Sequence, residues 1–193
     1  MISYPLTLPD IGEIASMSMK VEFASSNSQS VYNYGDDVYR WPGQRVAGTC
    51  TLKPMKRHRA EDWVGWAISL KGHEGTFLMG DPQAVSAMGT AVNGTINGDA
   101  MDETVTVAMT GTLLRGDWLQ IADGADRTLH KVLVAANGNG DLEIAPALRK
   151  NRVNETFTTA NPRGVFRMTT NMAEWDVDRV SMYGITFAFQ EAI

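Results

Sequence analysis

Residues 41–82, WPGQRVAGTC TLKPMKRHRA EDWVGWAISL KGHEGTFLMG DP, place a strand, a helix and a second strand in close succession, and that order decides the fold. Val46, Cys50 and Leu52 are apolar against Arg45, Thr49 and Thr51, the two-residue period of a strand buried on one face. Pro54 ends it, and the basic segment Lys56-Arg57-His58-Arg59 follows. Trp63, Trp66, Ala67 and Leu70 then recur at i, i+3, i+4 and i+7, which predicts a helix over residues 59–70. Lys71-Gly72 suits a left-handed C-terminal cap. Gly75 through Pro82 reads as a strand entering a turn. Nothing in the stretch carries chemistry of its own.

Outward from it, period two dominates. Ala15, Met17, Met19, Val21 and Phe23 alternate with Ser16, Ser18, Lys20 and Glu22. Val105, Val107 and Met109 alternate with threonines, and Ile185, Phe187 and Phe189 form the apolar side of a strand expected over residues 181–190. Weaker strands are expected at 32–34, 90–96, 118–121, 129–134, 142–144 and 165–168. Asp123-Gly124, Asn137-Gly138 and Asn139-Gly140 supply hairpin turns. Such spacing predicts a mainly β chain: an antiparallel β-sandwich with one packed α-helix, plus an inserted small β-sandwich or barrel. The last strand needs a sheet to join, which gives a discontinuous first domain, residues 1–88 with 173–193, and an insertion at 89–172.

The bulk numbers narrow the function classes. At 193 residues, 44% hydrophobic and 20% charged, the chain can build a real core. A net charge of −5 argues against a dedicated nucleic-acid binder, whose surface must be basic. No apolar run approaches the roughly 18 residues of a membrane span, and the N-terminal residues do not read as a secretory signal. Cys50, the one cysteine, has no internal partner, which fits a reducing cytoplasm. The eleven methionines suit a core or a subunit interface.

Catalytic motifs are missing. His58, His73 and His130 show no zinc-ligand spacing, and Cys50 lies in a strand without a neighbouring base. There is no nucleophile elbow and no phosphate loop, and the adjacent carboxylates Asp36-Asp37 and Glu61-Asp62 suit solvated faces. No catalytic residue, cofactor or metal site is therefore expected. Two groups remain as candidate interface. Lys53, Lys56, Arg57 and Arg59 form a basic cluster around the helix start, readable as a contact for an acidic neighbour or as a solvated loop. Tyr32, Tyr34, Tyr39 and Trp41 crowd a polar segment, either packed on the sheet or exposed to a sugar or a protein neighbour. Trp63, Trp66 and Leu70 are the expected anchors of the helix on the sheet.

With those residues set out, the chain resembles a distal tail protein, a structural component of the tail tip of long, non-contractile-tailed bacteriophages. The resemblance rests on Leu52-Lys53-Pro54-Met55, the helix with Trp63 and Trp66, and Gly75 through Pro82. It also rests on Gly116-Asp117-Trp118-Leu119-Gln120-Ile121, Leu129-His130-Lys131-Val132, Gly140 through Arg149, and the closing Ile185 through Ile193. It covers most of the chain, and its motifs are structural. It implies a virion protein assembled in the bacterial cytoplasm into a ring, typically a hexamer, that joins the tail tube protein to the baseplate hub. DNA would meet it only in transit through the lumen, and no membrane insertion is implied. The insertion would lie outside the ring, in some relatives as a carbohydrate-binding platform. A sugar-binding β-sandwich module is the rival reading, with the four aromatics as its stacking surface.

Overall fold

The computed structural model describes residues 2–177 and 182–193. A 3-10 turn, Ile11–Glu13, is capped by Asp10, whose carboxylate accepts from the Gly12 amide at 2.8 Å. It leads into a long antiparallel hairpin, β1 (Ile14–Gln29) and β2 (Asp36–Leu52). Next come β3 (Met55–Lys56), α1 (Arg57–Ser69) and β4 (Phe77–Met79). The middle of the chain holds β5 (Asn93–Gly98), β6 (Thr104–Met109), β7 (Thr112–Leu113), β8 (Trp118–Ile121), β9 (Thr128–Val132), β10 (Ala136–Asn137), β11 (Gly140–Ala145) and β12 (Arg152–Thr158). The chain then adds β13 (Gly164–Met168), β14 (Asp176–Val177), β15 (Met182–Gly184) and β16 (Thr186–Glu191).

These strands form a five-stranded antiparallel sheet, β1-β2-β16-β13-β4, and a closed barrel, β11-β6-β5-β12-β8-β9. A short sheet, β14-β15-β3, and the pair β10-β7 complete the described elements. The fold is thus the mainly β, antiparallel one that the alternation predicts, with one helix and a small barrel inserted between β4 and β13.

Several boundaries differ from those read in the sequence. β13 lies inside the segment 89–172 assigned to the insertion, yet Phe166 pairs with Glu191 of β16 and with Phe77 of β4. It belongs to the large sheet, because a short apolar run has no mark saying which sheet it joins. Residues 32–34 form the hairpin turn rather than a strand: Tyr34 is left-handed at φ 55°, and its amide donates to the Ser30 carbonyl at 3.0 Å. The helix starts at Arg57, and Lys71 and Gly72 leave it at φ 50° and 69°, the left-handed exit expected. In the strand expected over 181–190, Ser181 lies outside the described residues, and the remainder divides between β15 and β16.

Register explains the core. Met17 pairs with Cys50 and Cys50 with Phe187, Met19 with Gly48 and Gly48 with Phe189, so these side chains share one face of the sheet. Gly48 must stay small: a Cβ there would lie 2.1 Å from the Ser18 carbonyl oxygen and 2.7 Å from the Phe189 ring. Two lids cover this face. At one end α1 lays Trp66 against Phe187 and Phe77, with ring centroids 5.4 and 5.1 Å apart. At the other, Trp118 and Leu129 of the barrel join the same apolar cluster. Each large side chain buried this way contributes about 2 kcal/mol.

Polar groups fix the barrel end. The buried Glu191 carboxylate accepts from the Val46 amide at 3.1 Å and from Arg149 Nε at 3.0 Å, while Arg149 Nη2 also donates to it. Gln44 accepts from the Ala147 amide at 3.1 Å and donates to Glu103. His130 is fully buried, with Nδ1 2.7 Å from the Pro146 carbonyl oxygen and Nε2 2.8 Å from Thr128 Oγ1. A carbonyl only accepts, so Nδ1 carries the proton and Nε2 accepts from the threonine hydroxyl.

Burial drives the His130 pKa down to about 4 from 6.5. Between those values the unfolded chain binds the extra proton, so stability is complete above the unfolded pKa and is lost as pH falls towards the folded one. The slope is about 1.4 kcal/mol per pH unit, roughly 3 kcal/mol across the window. Urea unfolding followed from neutral pH downwards should show that loss, and His130→Asn should remove it. Equal pH slopes for the two proteins would contradict this assignment.

Candidate functional site

The distal half of the β1–β2 hairpin leaves the core behind. Beyond the Phe23–Gln44 pair the ladder continues as Ser25 with Arg40, Ser26 with Tyr39, Asn27 with Val38 and Ser28 with Asp37. Serine and asparagine are too small to cover the aromatics opposite them. Tyr32 is 99% exposed, Tyr34 77%, Tyr39 61% and Trp41 54%. Phe23, Val31 and Val38 are exposed alongside them. Tyr39 lies on the regular distal ladder opposite Ser26, Trp41 enters the irregular stretch between Arg40 and Gln44, and Tyr32 and Tyr34 belong to the turn. The choice left open by the sequence therefore resolves to exposure rather than packing on the sheet. These exposed apolar side chains make the distal hairpin the candidate surface.

The basic cluster stands at the opposite end of β2. Tyr39 and Lys53 are separated by roughly 45 Å of extended strand, so the two groups of expected interface residues do not form one surface. Most of the cluster is engaged within the chain. Lys53 Nζ donates to the Gly12 carbonyl at 2.7 Å, Arg57 pairs with Glu61 at 3.1 Å, and Arg59 pairs with Glu13. These contacts tie the 3-10 turn to the start of α1, which offsets the unfavourable position of cations at a helix N-terminus. Lys56 is exposed at the N-cap position and caps nothing with its side chain. Trp63, Trp66 and Leu70 are all buried in the sheet core.

The three histidines stand apart from one another. His58 is exposed on the first turn of α1, His73 Nδ1 lies 2.9 Å from the Met168 carbonyl oxygen, and His130 is enclosed at the barrel junction. Among the described residues no three His, Cys, Asp or Glu side chains group as a metal site, and no helix is long and apolar enough to cross a membrane. Sequence reasoning missed Phe23, Val31 and Val38 as parts of the exposed hairpin. The one signal for them is the serine-rich partner strand, whose side chains are too short for β1 to cover β2. It also missed Glu191 and Arg149, which nothing short of the register brings together. Comparison with known protein families and with curated proteins finds no match to the chain.

Burial also decides the chemistry of Cys50. Its thiol pKa is pushed up to about 12 by desolvation, so the thiolate needed for nucleophilic attack is not formed near neutral pH. A chromogenic thiol reagent should leave the native chain unmodified at mildly alkaline pH and label it once per chain in denaturant. Rapid labelling of the folded protein would overturn that reading.

Proposed function

We propose that the chain is a non-enzymatic structural protein of the tail tip of a long, non-contractile-tailed bacteriophage. Its copies close into a ring, six being the number that the sequence resemblance implies, which joins the tail tube to the baseplate hub. DNA passes through the lumen without being held there. The observation that carries this reading is the hairpin: exposed aromatic and aliphatic side chains on a projecting element, left uncovered by the described residues. Such a surface becomes stable when another chain buries it, and a head-to-tail contact between identical copies closes by rotation. The buried thiol and the scattered histidines agree with a role in assembly rather than turnover.

A second reading, sugar recognition, draws on one feature. Tyr39 and Trp41 stand two residues apart on β2 with both rings exposed, and an exposed aromatic ring is a surface on which a pyranose can stack. Tyr32 and Tyr34 sit in the turn and would add only at its margin. Glycan-array binding that disappears in Trp41→Ala would favour this reading over the ring.

Electron microscopy and sedimentation of the purified chain at rising concentration should reveal closed rings. The double variant Tyr39→Ser with Trp41→Ser should abolish them while leaving the melting temperature unchanged, because neither residue touches the core. A chain that stays monomeric throughout, or a double variant that still closes, would contradict the role assigned to the hairpin.

A further inference from the structure

The large sheet has two margins, and they are treated differently. At the β4 margin the N-terminal segment lies alongside: Leu6 bridges Phe77, its amide donates to the Thr76 carbonyl at 2.8 Å, and its carbonyl accepts from the Leu78 amide at 2.8 Å. Pro5 and Pro9 flank that bridge and have no N–H to offer a further strand. The margin is closed. At the other margin β1 runs for 16 residues without a proline and, among the described residues, pairs only on its β2 side.

Which backbone groups β1 leaves free follows from two hydrogen bonds on β2. Leu52 donates to the Ile185 carbonyl and Lys53 to the Glu13 carbonyl, so even-numbered residues of β2 face β16 and odd-numbered ones face β1. With Thr51 opposite Ser16 and Thr49 opposite Ser18, alternation gives the ladder bonds of β1 to its even residues. The N–H and C=O groups of Met17, Met19 and Val21 therefore point outward. Their side chains lie on the sheet's apolar face and are only half-buried, lining a cleft of about 290 Å³. The far wall of the cleft is the barrel. Lys131 Nζ rests 4.3 Å from the Trp118 ring centroid, and the Trp118 indole N–H is buried without an acceptor. Asp81, which accepts from the Gln83 amide at 2.9 Å, and the edge of β1 at Lys20, whose side chain turns to Glu22 on the polar face, complete the lining.

We propose that β1 is a docking edge at which an extended segment of another polypeptide adds as a sixth strand, its inward side chains filling the cleft between Met17, Met19 and Val21 and the Trp118–Lys131 wall. The occupant is a polypeptide because a row of free backbone donors and acceptors is complemented by another backbone. Its chemistry is set by the pleat. Residues opposite Met17, Met19 and Val21 point into the cleft and are apolar, those between them face the polar side with Ser18 and Lys20, and a carboxylate at one inward position meets Lys131. A second copy of this chain fits poorly. Its barrel is closed and its β4 margin is covered. Among the described residues it could offer its own β1, which brings a second half-filled cleft and a second Lys131, or the distal part of β2, which mixes the charged Asp36, Asp37 and Arg40 with its apolar residues. The remaining margins, β3, β7, β10 and β14, are each two residues long and too short to fill three inward positions. The site lies within one copy and does not depend on the ring.

The test uses the full chain labelled with nitrogen-15 and a capped ten-residue peptide with valine at alternate positions, threonine between them and one inward glutamate. In the chain alone the amides of Met17, Met19 and Val21 should exchange rapidly with solvent, and those of Ser18 and Lys20 slowly. Saturating peptide should slow the first three about tenfold and shift the Trp118 indole signal. Met19→Pro, which removes an outward N–H and leaves the β2 ladder its donors, should abolish both effects while the rest of the spectrum stays folded. Slow exchange of the three amides in a dilute chain without peptide would overturn the open edge. Equal effects from a peptide of the same composition with its valines grouped would overturn the alternating fit. Protection that rises with the chain's own concentration would make the occupant a second copy and overturn the proposal.

Discussion

One buried carboxylate seats the barrel on the sheet. Glu191 lies at the end of the last strand of the chain, and its two oxygens take the Val46 amide from β2 and the guanidinium of Arg149 from the segment after β11. Three parts of the sequence far apart in number meet at that group. A carboxylate without these donors would be strongly disfavoured in a buried position, so the junction holds as a unit or opens as one. Around it, Gln44 of β2 accepts from the Ala147 amide and His130 of β9 holds the Pro146 carbonyl, so the loop of residues 145–149 is fixed to the sheet on one side and to the barrel on the other.

That seating has a consequence at the other margin. The apolar face of the large sheet is shared between α1 and the barrel, and together they do not reach its whole width. The half of β2 from Gln44 onward, β16 and β13 bury their apolar residues, while β1 keeps Met17, Met19 and Val21 half-buried, and the hairpin beyond Phe23, tied to Glu103 by Arg40, keeps its aromatics exposed. The chain thus has a dense core at its centre and uncovered apolar groups along one edge. The proposed role as a ring component of a tail tip gives those groups something to touch. The strand-docking edge is a separate surface, defined within a single copy by backbone direction and by the barrel wall.

The fold is legible in the sequence wherever one face of an element is buried and the other is wet. Met17, Met19 and Val21, Cys50 and Leu52, and Phe187 and Phe189 alternate because the sheet has one such face, and Trp63, Trp66 and Leu70 mark the helix side turned to it. β13 reads into the wrong unit because Gly164, Val165 and Phe166 are all buried, which leaves no polar side to show its neighbours. The hairpin turn reads as a strand because Tyr32 and Tyr34 carry strand propensity that the Ser30–Gly35 hydrogen bond at 2.9 Å overrides. The candidate surface is legible only in part. Aromatics in a polar segment are visible, but their exposure depends on serines fifteen or so positions earlier along a partner strand. The basic cluster stands out for its charge, and the structure shows that charge largely spent on Glu13, Glu61 and the Gly12 carbonyl.

The seating role of Glu191 is tested most directly by amide exchange in Glu191→Ala, read at Val46 and Ala147. If the carboxylate holds the junction, both amides should lose protection together, by an amount corresponding to about 3–5 kcal/mol, while Leu142 inside the barrel keeps its own. Undiminished protection at Val46 and Ala147 would show that apolar packing alone holds the barrel in place and that Glu191 seats nothing.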